Sequence, residues 1–360
     1  MNRLLYIVST LRRSGPTNQL CNLIKYLDRS QFEPHLITLS PEPQDSRWAD
    51  FQRLGVQMNT LSLSRLKGMF LAKRWLKQKI EQIKPHIIHT QGIRADILLS
   101  KIGSSVPWFM TSHNCPLHDY PMKFGRLQGH IMAWQHLKAM RKCHNVIACS
   151  KTISRFLSGY EVTATAIQNG VEFQTGSKAG AKLPEFMQKP VFVSVGSLIN
   201  RKNMRFLIEA FNMYAVVGKG TLVIVGDGPQ MQELRNIASN RVCFVGNVSN
   251  VVDYLACSDY FISSSLSEGL PNTVLEALAA GLPLLLSDIP SHLEIAEECQ
   301  GMCSIFALNE GQSVLTNQMS KGAALFSFID RDEIHRKAKE IFSAQVMSAR
   351  YQQAYLKTME

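Results

Sequence analysis

Two rhythms alternate along this chain. Short apolar runs bounded by Gly, Pro, Ser or Asn alternate with longer stretches in which apolar residues return every three or four positions, which predicts strands alternating with helices. In the first half the runs are residues 4–9 (LLYIVS), 32–39, 86–90 (HIIHT), 108–111 running up to His113, and 145–150 (NVIACS). Between them the spacing predicts a helix over 18–27 and, within 49–63, a helix and a short strand around Val56. A long basic helix follows from about Ser64 to Lys84, closed by Pro85, and then a helix over 93–102. The stretch 171–189 turns polar and rich in Gly, Ser and Lys, and reads as a linker. After it the rhythm restarts, with runs at 191–198, 221–226, 242–246 and 259–264 and helices over 203–217, 230–238 and about 251–256. A last helix, about 343–356, is long enough to cross back to the first half. Strands and helices alternating at this spacing build parallel sheets from βαβ units. The pattern therefore predicts an α/β protein of two Rossmann-like domains facing across a cleft. One covers 1–172 together with the C-terminal helix (about 343–360), the other 190–342.

Residues 259–286, DYFISSSLSEGLPNTVLEALAAGLPLLL, form the most informative stretch. A strand ends in serines, a tight loop holds Gly269 and Pro271, and a helix over 272–280 is stopped by Gly281 and Pro283 before the next strand begins at Leu284. A helix that starts after a buried strand presents N–H groups and a partial positive charge, which suits a phosphate or diphosphate. Glu276 lies about 7 Å along that helix, where a carboxylate can accept two hydroxyl hydrogen bonds from a ribose. Glu268, at the strand's end, is placed to meet a sugar beyond the diphosphate. For either residue alone, a capping or solvated Glu is the plainer reading.

Composition narrows the class. With 360 residues, 45% hydrophobic and 19% charged, the chain has room for two large cores. No apolar run approaches the ~18 residues needed to span a bilayer. The N-terminal LLYIVST is too short for a signal core and leads into Arg12 and Arg13, so it reads as a first strand. Eight scattered cysteines include no C-x2-C pair, and Cys299 and Cys303 have no partnering His or Cys cluster, which fits buried free thiols in a reducing cytoplasm. The net charge of +11 is unevenly spread: residues 1–175 hold 23 Lys and Arg against 10 Asp and Glu (23 − 10 = +13), the rest 16 against 18 (16 − 18 = −2). A basic half implies an anionic partner, nucleic acid or a membrane surface.

Within that half, Leu63 to Lys84 places Leu66, Met69, Phe70, Leu71, Trp75, Leu76, Ile80 and Ile83 among Arg65, Lys67, Lys73, Arg74, Lys77, Lys79 and Lys84. This is the pattern of an interfacial helix; the alternative is that the stripe packs on the sheet while the cations solvate the outer face. No helix-turn-helix, zinc or RNP signature supports nucleic acid. The expectation is a cytoplasmic protein that docks peripherally on an anionic inner-membrane surface.

Other candidates are weaker alone. Gly15 lies in the first strand-to-helix loop, where backbone often approaches a ligand, but G-x-G-x-x-G is absent there, against a nicotinamide or flavin enzyme. VIVGDGPQM has Gly226 and Gly228 but Met231 at the third position, so it does not read as a dinucleotide fingerprint. Asp330-Arg331-Asp332 has carboxylates spaced for a divalent metal, yet it precedes a helical pattern and reads better as a cap; no catalytic metal and no cofactor are expected. His86 and His89 read as core or edge histidines. Arg201 and Lys202 follow the 191–198 run, where adjacent cations either face an anionic ligand or are merely solvated. His113 ends its strand either as a structural histidine or as a neutral imidazole for a sugar hydroxyl.

Read in order, His113-Asn114, VIACS (146–150), IQNGVEF (167–173), G-x-L-x3-K (Gly196 to Lys202), IVGDGP (224–229), FVGNV (244–248) and SEGLPNTVLEALAAGLP (267–283) cover nearly the whole chain. Together they resemble the retaining glycosyltransferases of family four, which have the GT-B fold; the last stretch carries that family's E-x7-E signature. The resemblance implies that Lys202 grips the diphosphate of a nucleotide-diphosphate sugar, with Glu276 on the ribose. It places Glu268 and the backbone N–H groups of Gly269, Leu270, Pro271 and Asn272 (proline itself lacking one) at the donor sugar. Asn247 and Val248 would line the nucleobase, Gly15 approach the diphosphate, Gly196 belong to the donor-binding loop, and His113 contact the sugar, so that Glu268, Lys202 and His113 are the catalytic candidates. Ser197 stands where the family usually has Arg, and Arg201 is the residue able to replace that charge. The implied activity is metal-independent transfer of a hexose or N-acetylhexosamine from a UDP-sugar to a glycan or lipid-linked acceptor in bacterial surface polysaccharide synthesis, O-antigen or capsule. A catalytically silent nucleotide-sugar-binding protein of the same fold is the alternative.

Overall fold

The computed structural model describes residues 1–61, 65–173, 187–327 and 330–360, with backbone alone for 65–70 and 323. The chain divides into two compact units, Met1–Gly170 with Ala344–Glu360, and Val171–Ser343.

Unit 1 is built on seven parallel strands: β1 (Asn2–Val8), β2 (Phe32–Thr38), β3 (Gln57–Thr60), β4 (Ile87–Gln91), β5 (Trp108–Ser112), β6 (Asn145–Ala148) and β7 (Ala164–Ala166), in the order β3-β2-β1-β4-β5-β6-β7. Successive side chains of a strand point to opposite faces, and β1 feeds both cores. Leu4, Tyr6 and Val8 join the core formed with the helix Gly15–Lys25 and the C-terminal helix Ala344–Met359, whereas Leu5 and Ile7 join the core that holds Leu76, Ala95 and Leu99. The C-terminal helix is anchored through His89, whose ring nitrogens pair with Tyr355 OH at 2.6 Å and Thr111 Oγ1 at 2.8 Å; Tyr351 OH lies 3.1 Å from the same Thr111 oxygen. His89 is therefore a core histidine, and His86 accepts the Arg3 N–H at 3.0 Å.

Of the two readings of the helix Arg65–Ile83, the structure supports packing of the stripe on the sheet. Leu76 is fully buried, and Trp75, Ile80 and Ile83 pack against the same core, while Lys73, Arg74 and Lys77 face solvent. From Leu76 onward the stripe belongs to the sheet. Leu63 and the side chains of Arg65, Leu66, Lys67, Met69 and Phe70 lie outside the described residues.

Unit 2 holds six parallel strands, β8 (Val191–Val195), β9 (Thr221–Val225), β10 (Val242–Gly246), β11 (Tyr260–Ser263), β12 (Leu284–Ser287) and β13 (Cys303–Phe306), in the order β10-β9-β8-β11-β12-β13. The chain winds outward from β8 to β10 and then returns to lay β11 beside β8. That reversal opens a crevice at the carboxyl ends of β8 and β11, the place where open α/β sheets bind ligands. Unit 1 repeats the device between β1 and β4.

Several elements differ from the pattern. The first helix begins at Gly15, not at 18, because Ser14 caps it by accepting the Thr17 N–H and Pro16 suits the first turn. Helices Pro116–Phe124, Arg126–Met140, Lys151–Ser158, Pro290–Glu298 and Gln312–Leu325, and the edge strand β13, were not anticipated. Asp330 caps the helix Arg331–Phe342, its side chain accepting the Glu333 N–H at 2.7 Å. Residues 174–186 of the expected linker lie outside the described residues. All eight cysteines are free thiols, and five of them are buried.

Candidate active site

The crevice of unit 2 is framed by two loops that hold each other. After β8 the backbone turns at Gly196 (φ 157°), whose N–H donates to the Val225 carbonyl at 2.9 Å, and the Leu198 N–H donates to that of Asp227 at 3.0 Å. A Cβ on Gly226 would lie 2.0 Å from the Gly196 oxygen, and one on Gly228 would lie 2.5 Å from the Leu198 oxygen. The IVGDGP turn is thus the backing of the Gly196–Leu198 loop, and its glycines are there because two backbones touch. The chain then makes a single 3-10 turn, Asn200–Lys202, and passes through Asn203 in the left-handed region (φ 52°, ψ 41°). From the other loop, Ser264 Oγ donates to the Asn203 carbonyl at 2.9 Å and the Leu266 N–H to that of Arg201 at 2.8 Å.

Two cations converge on one carboxylate between these loops. Lys202 Nζ is 2.7 Å from Glu268 Oε1, and Arg201 Nη1 is 2.5 Å from Oε2 while also donating to the Ser267 carbonyl at 2.6 Å. Ser265 Oγ donates to Oε1 at 2.9 Å. The Glu268 side chain is only 8% exposed, and burial by itself would raise its pKa. The charges of Lys202 and Arg201, with their hydrogen bonds, outweigh burial and hold it at about 2. Glu276, on the helix Asn272–Ala279, has the opposite balance: burial pushes its carboxyl up to about 7, and Lys202 offsets only part of that rise. A site whose two carboxylates are driven apart in this way is a functional candidate.

The structure thus brings Gly196, Arg201, Lys202 and Glu268 together, the Lys202 methylenes lying against Gly196. Gly269, Leu270 and Pro271 continue the loop into the helix that begins at Asn272. Asn247 and Val248 follow β10, two strands from β8 and so about 10 Å away at ordinary strand spacing. A residue the motifs did not single out is His292. Fully buried, its Nδ1 sits 3.0 Å from the Ser287 carbonyl, and Ser287 Oγ donates to the Ser265 carbonyl at 2.7 Å, bracing the loop that carries Glu268. Burial lowers the His292 pKa to about 4, against the pull of Glu268.

In unit 1 the loops after β1, β4 and β5 enclose a cavity of about 320 Å3, lined by Ser14, Gly92, His113, Asn114, Tyr120 and His136 among others. Gly15 opens the helix at its rim. His113 Nε2 is buried with no hydrogen-bond partner, and burial lowers the ring's pKa to about 4, so the imidazole is neutral at pH 7. Sequence reasoning also missed a buried chain beside it. His136 Nε2 donates to Asp96 Oδ2 at 2.8 Å, leaving Nδ1 to accept the Tyr120 hydroxyl at 2.7 Å. Among the described residues, no group of three or more His, Cys, Asp or Glu side chains is placed to hold a metal ion.

With the site and fold in view, residues 13–175 match the family described as Glycosyltransferase Family 4, and residues 189–317 the family described as Glycosyl transferases group 1. The chain is a glycosyltransferase of the GT-B fold. It is 34% identical over 242 residues, 59% of this chain and 60% of the relative, to the UDP-Gal:alpha-D-GlcNAc-diphosphoundecaprenol alpha-1,3-galactosyltransferase of Escherichia coli. With the O-antigen biosynthesis glycosyltransferase WclY of Escherichia coli it shares 21% identity over 98% of both chains. The structure of Anabaena HepE in complex with UDP-glucose matches 99% of this chain and 100% of its own at a TM-score of 0.79 and 15% identity, a likeness of fold.

Proposed function

We propose that this chain is a retaining, metal-independent transferase of the family-four type. It moves a hexose or N-acetylhexosamine from a UDP-sugar to a glycan or lipid-linked acceptor in bacterial surface polysaccharide synthesis. The observation that carries the donor assignment is the convergence of Lys202 and Arg201 on Glu268 at the crevice of unit 2. Two cations held at the carboxyl ends of β8 and β11 can receive a diphosphate. The WclY and galactosyltransferase relatives support the acceptor class, and the HepE complex supports UDP.

In the reaction the bond between the anomeric carbon and the diphosphate oxygen breaks and the nucleoside diphosphate leaves with the electron pair. Lys202 and Arg201 stabilise the charge that develops on the departing phosphate, and preorganised charges of this kind are worth most where charge appears in the transition state. The acceptor oxygen bonds to the same face of the sugar and its proton passes to the leaving group. Glu276 holds the ribose hydroxyls, Asn247 and Val248 the base, and Glu268 with the Gly269–Asn272 backbone the sugar. Roles for Gly15 and His113 toward the donor, and acceptor binding by unit 1, rest on the resemblance.

The test is nucleotide release from a panel of nucleotide sugars in excess EDTA. Release from a UDP-sugar supports the proposal, and release that appears only after Mn²⁺ or Mg²⁺ is restored contradicts its metal independence. Ser197, in the position the family fills with Arg, favours one second reading, a silent nucleotide-sugar binder. Thermal stabilisation by a donor without release, acceptor present or not, selects it.

A further inference from the structure

The helix Arg126–Met140 is apolar on both faces. Gly129, Ala133, Leu137 and Met140 line its buried side, and Gly129 sits so close to the preceding helix Pro116–Phe124 that a Cβ there would lie 2.4 Å from Pro121 Cα. The outer side carries Leu127, Ile131 and Trp134, which are 79%, 51% and 50% exposed. At 3.6 residues per turn these three fall within about 60° of one another, and Lys138 falls on the same line. Met122, 58% exposed, adds a further large apolar side chain at the end of the preceding helix.

Single exposed apolar residues are ordinary, but a contiguous set rimmed by polar groups marks a contact surface. Charge says what it contacts. The segment Pro116–Met140 holds three cations, Lys123, Arg126 and Lys138, all exposed, and one acid, Asp119, which is engaged with the Cys115 N–H at 3.0 Å. An apolar stripe set among cations fits the interface of an anionic bilayer, and a half-exposed Trp belongs at the headgroup level. The stripe of the helix Arg65–Ile83, by contrast, is taken up by the sheet from Leu76 onward.

We propose that this helical hairpin is the surface by which unit 1 docks on an anionic phospholipid membrane. Leu127, Ile131 and Trp134 enter the acyl boundary, while Arg126 and Lys138 meet the headgroups. The inference deepens the reading of a lipid-linked acceptor and rests on it. Its test is co-sedimentation of the full chain with phosphatidylglycerol-containing vesicles and with pure phosphatidylcholine vesicles, donor hydrolysis being measured on the same preparations. The wild type is expected to partition at least ~10-fold more onto anionic vesicles. The double change Leu127→Ser with Ile131→Ser is expected to lower that partition about 10-fold or more. Arg126→Gln with Lys138→Gln is expected to lower it several-fold at low salt and little at high salt. Both variants should keep wild-type donor hydrolysis, which shows that they are folded. Equal wild-type binding to both vesicle types, or unchanged binding of the serine variant, overturns the proposal. So does a concentration-dependent dimer that the serine changes abolish, with no vesicle binding. A wild type that binds vesicles but hydrolyses no donor leaves the docking surface standing and sinks the transferase reading instead.

Discussion

Glu268 and Glu276 lie close together in sequence but in opposite electrostatic surroundings, and their pH responses run in opposite directions. The Glu268 pKa is depressed to about 2, so its contribution to stability is present above the ordinary carboxylate range and is lost as pH falls toward 2. That of Glu276 is raised to about 7, so stability that is full below about 4.5 is lost as pH rises through 7. Glu276→Gln removes the second effect. Its melting temperature relative to wild type is expected to rise between pH 5 and pH 8 in thermal denaturation; a constant difference would mean that the carboxyl is not held neutral. Glu276→Ala should also weaken donor binding by about 1–3 kcal/mol, measured by calorimetry, as for a lost hydrogen bond to a charged group. At this scale the sequence was most legible where motifs carry paired charges, as at Lys202, Glu268 and Glu276. It was silent on the Asp96–His136–Tyr120 chain, whose members come from three separate helices, and on His292, whose pairing with Ser287 five residues earlier matches no motif.

Elements were legible where their burial leaves a regular apolar pattern, either an unbroken run in a strand or a one-sided stripe on a helix. The central strands are buried on both faces and appear as unbroken apolar runs, so β1, β4, β8, β9 and β11 stand out. The helix Arg126–Met140 carries apolar residues on both faces, and no helical period survives in its sequence. The short edge strand β13 is only partly buried and gives a weak run. The IVGDGP turn shows what a motif is for once the partner loop is seen. Gly226→Ala would drive a methyl onto the Gly196 carbonyl, whereas a Cβ on Gly246 meets nothing within 4 Å and faces only its positive φ. Gly226→Ala is therefore expected to be the more destabilising of the two in urea unfolding, and to weaken donor binding as the Gly196–Lys202 loop shifts. Equal effects would mean that the two loops do not need their close contact. At Asp330, replacement by Ala should cost about 1 kcal/mol, the usual loss for an N-cap, with donor turnover unchanged; lost turnover would give that acid a role beyond capping.

On the scale of the whole molecule, each unit repeats one solution, a parallel sheet whose winding reverses and leaves a crevice at the strands' carboxyl ends. Strand–helix alternation made two such sheets legible, since parallel pairing demands a crossover between strands. Charge separates the halves, with +13 in residues 1–175 against −2 in the rest, so on the proposed reading Lys202 and Arg201 would meet an anionic donor through their placement in the crevice, not through an excess of positive charge in that half. The role given to Lys202 is the point on which this chemistry turns. The most direct measurement compares nucleotide release under single-turnover conditions with donor affinity, for the wild type and Lys202→Ala, using a UDP-sugar that the wild type hydrolyses. If Lys202 stabilises the departing diphosphate, release should fall about 10²–10³-fold while donor affinity falls less, because the charge it meets is greatest in the transition state. Release that stays at the wild-type rate, or falls only as far as affinity does, would contradict that role.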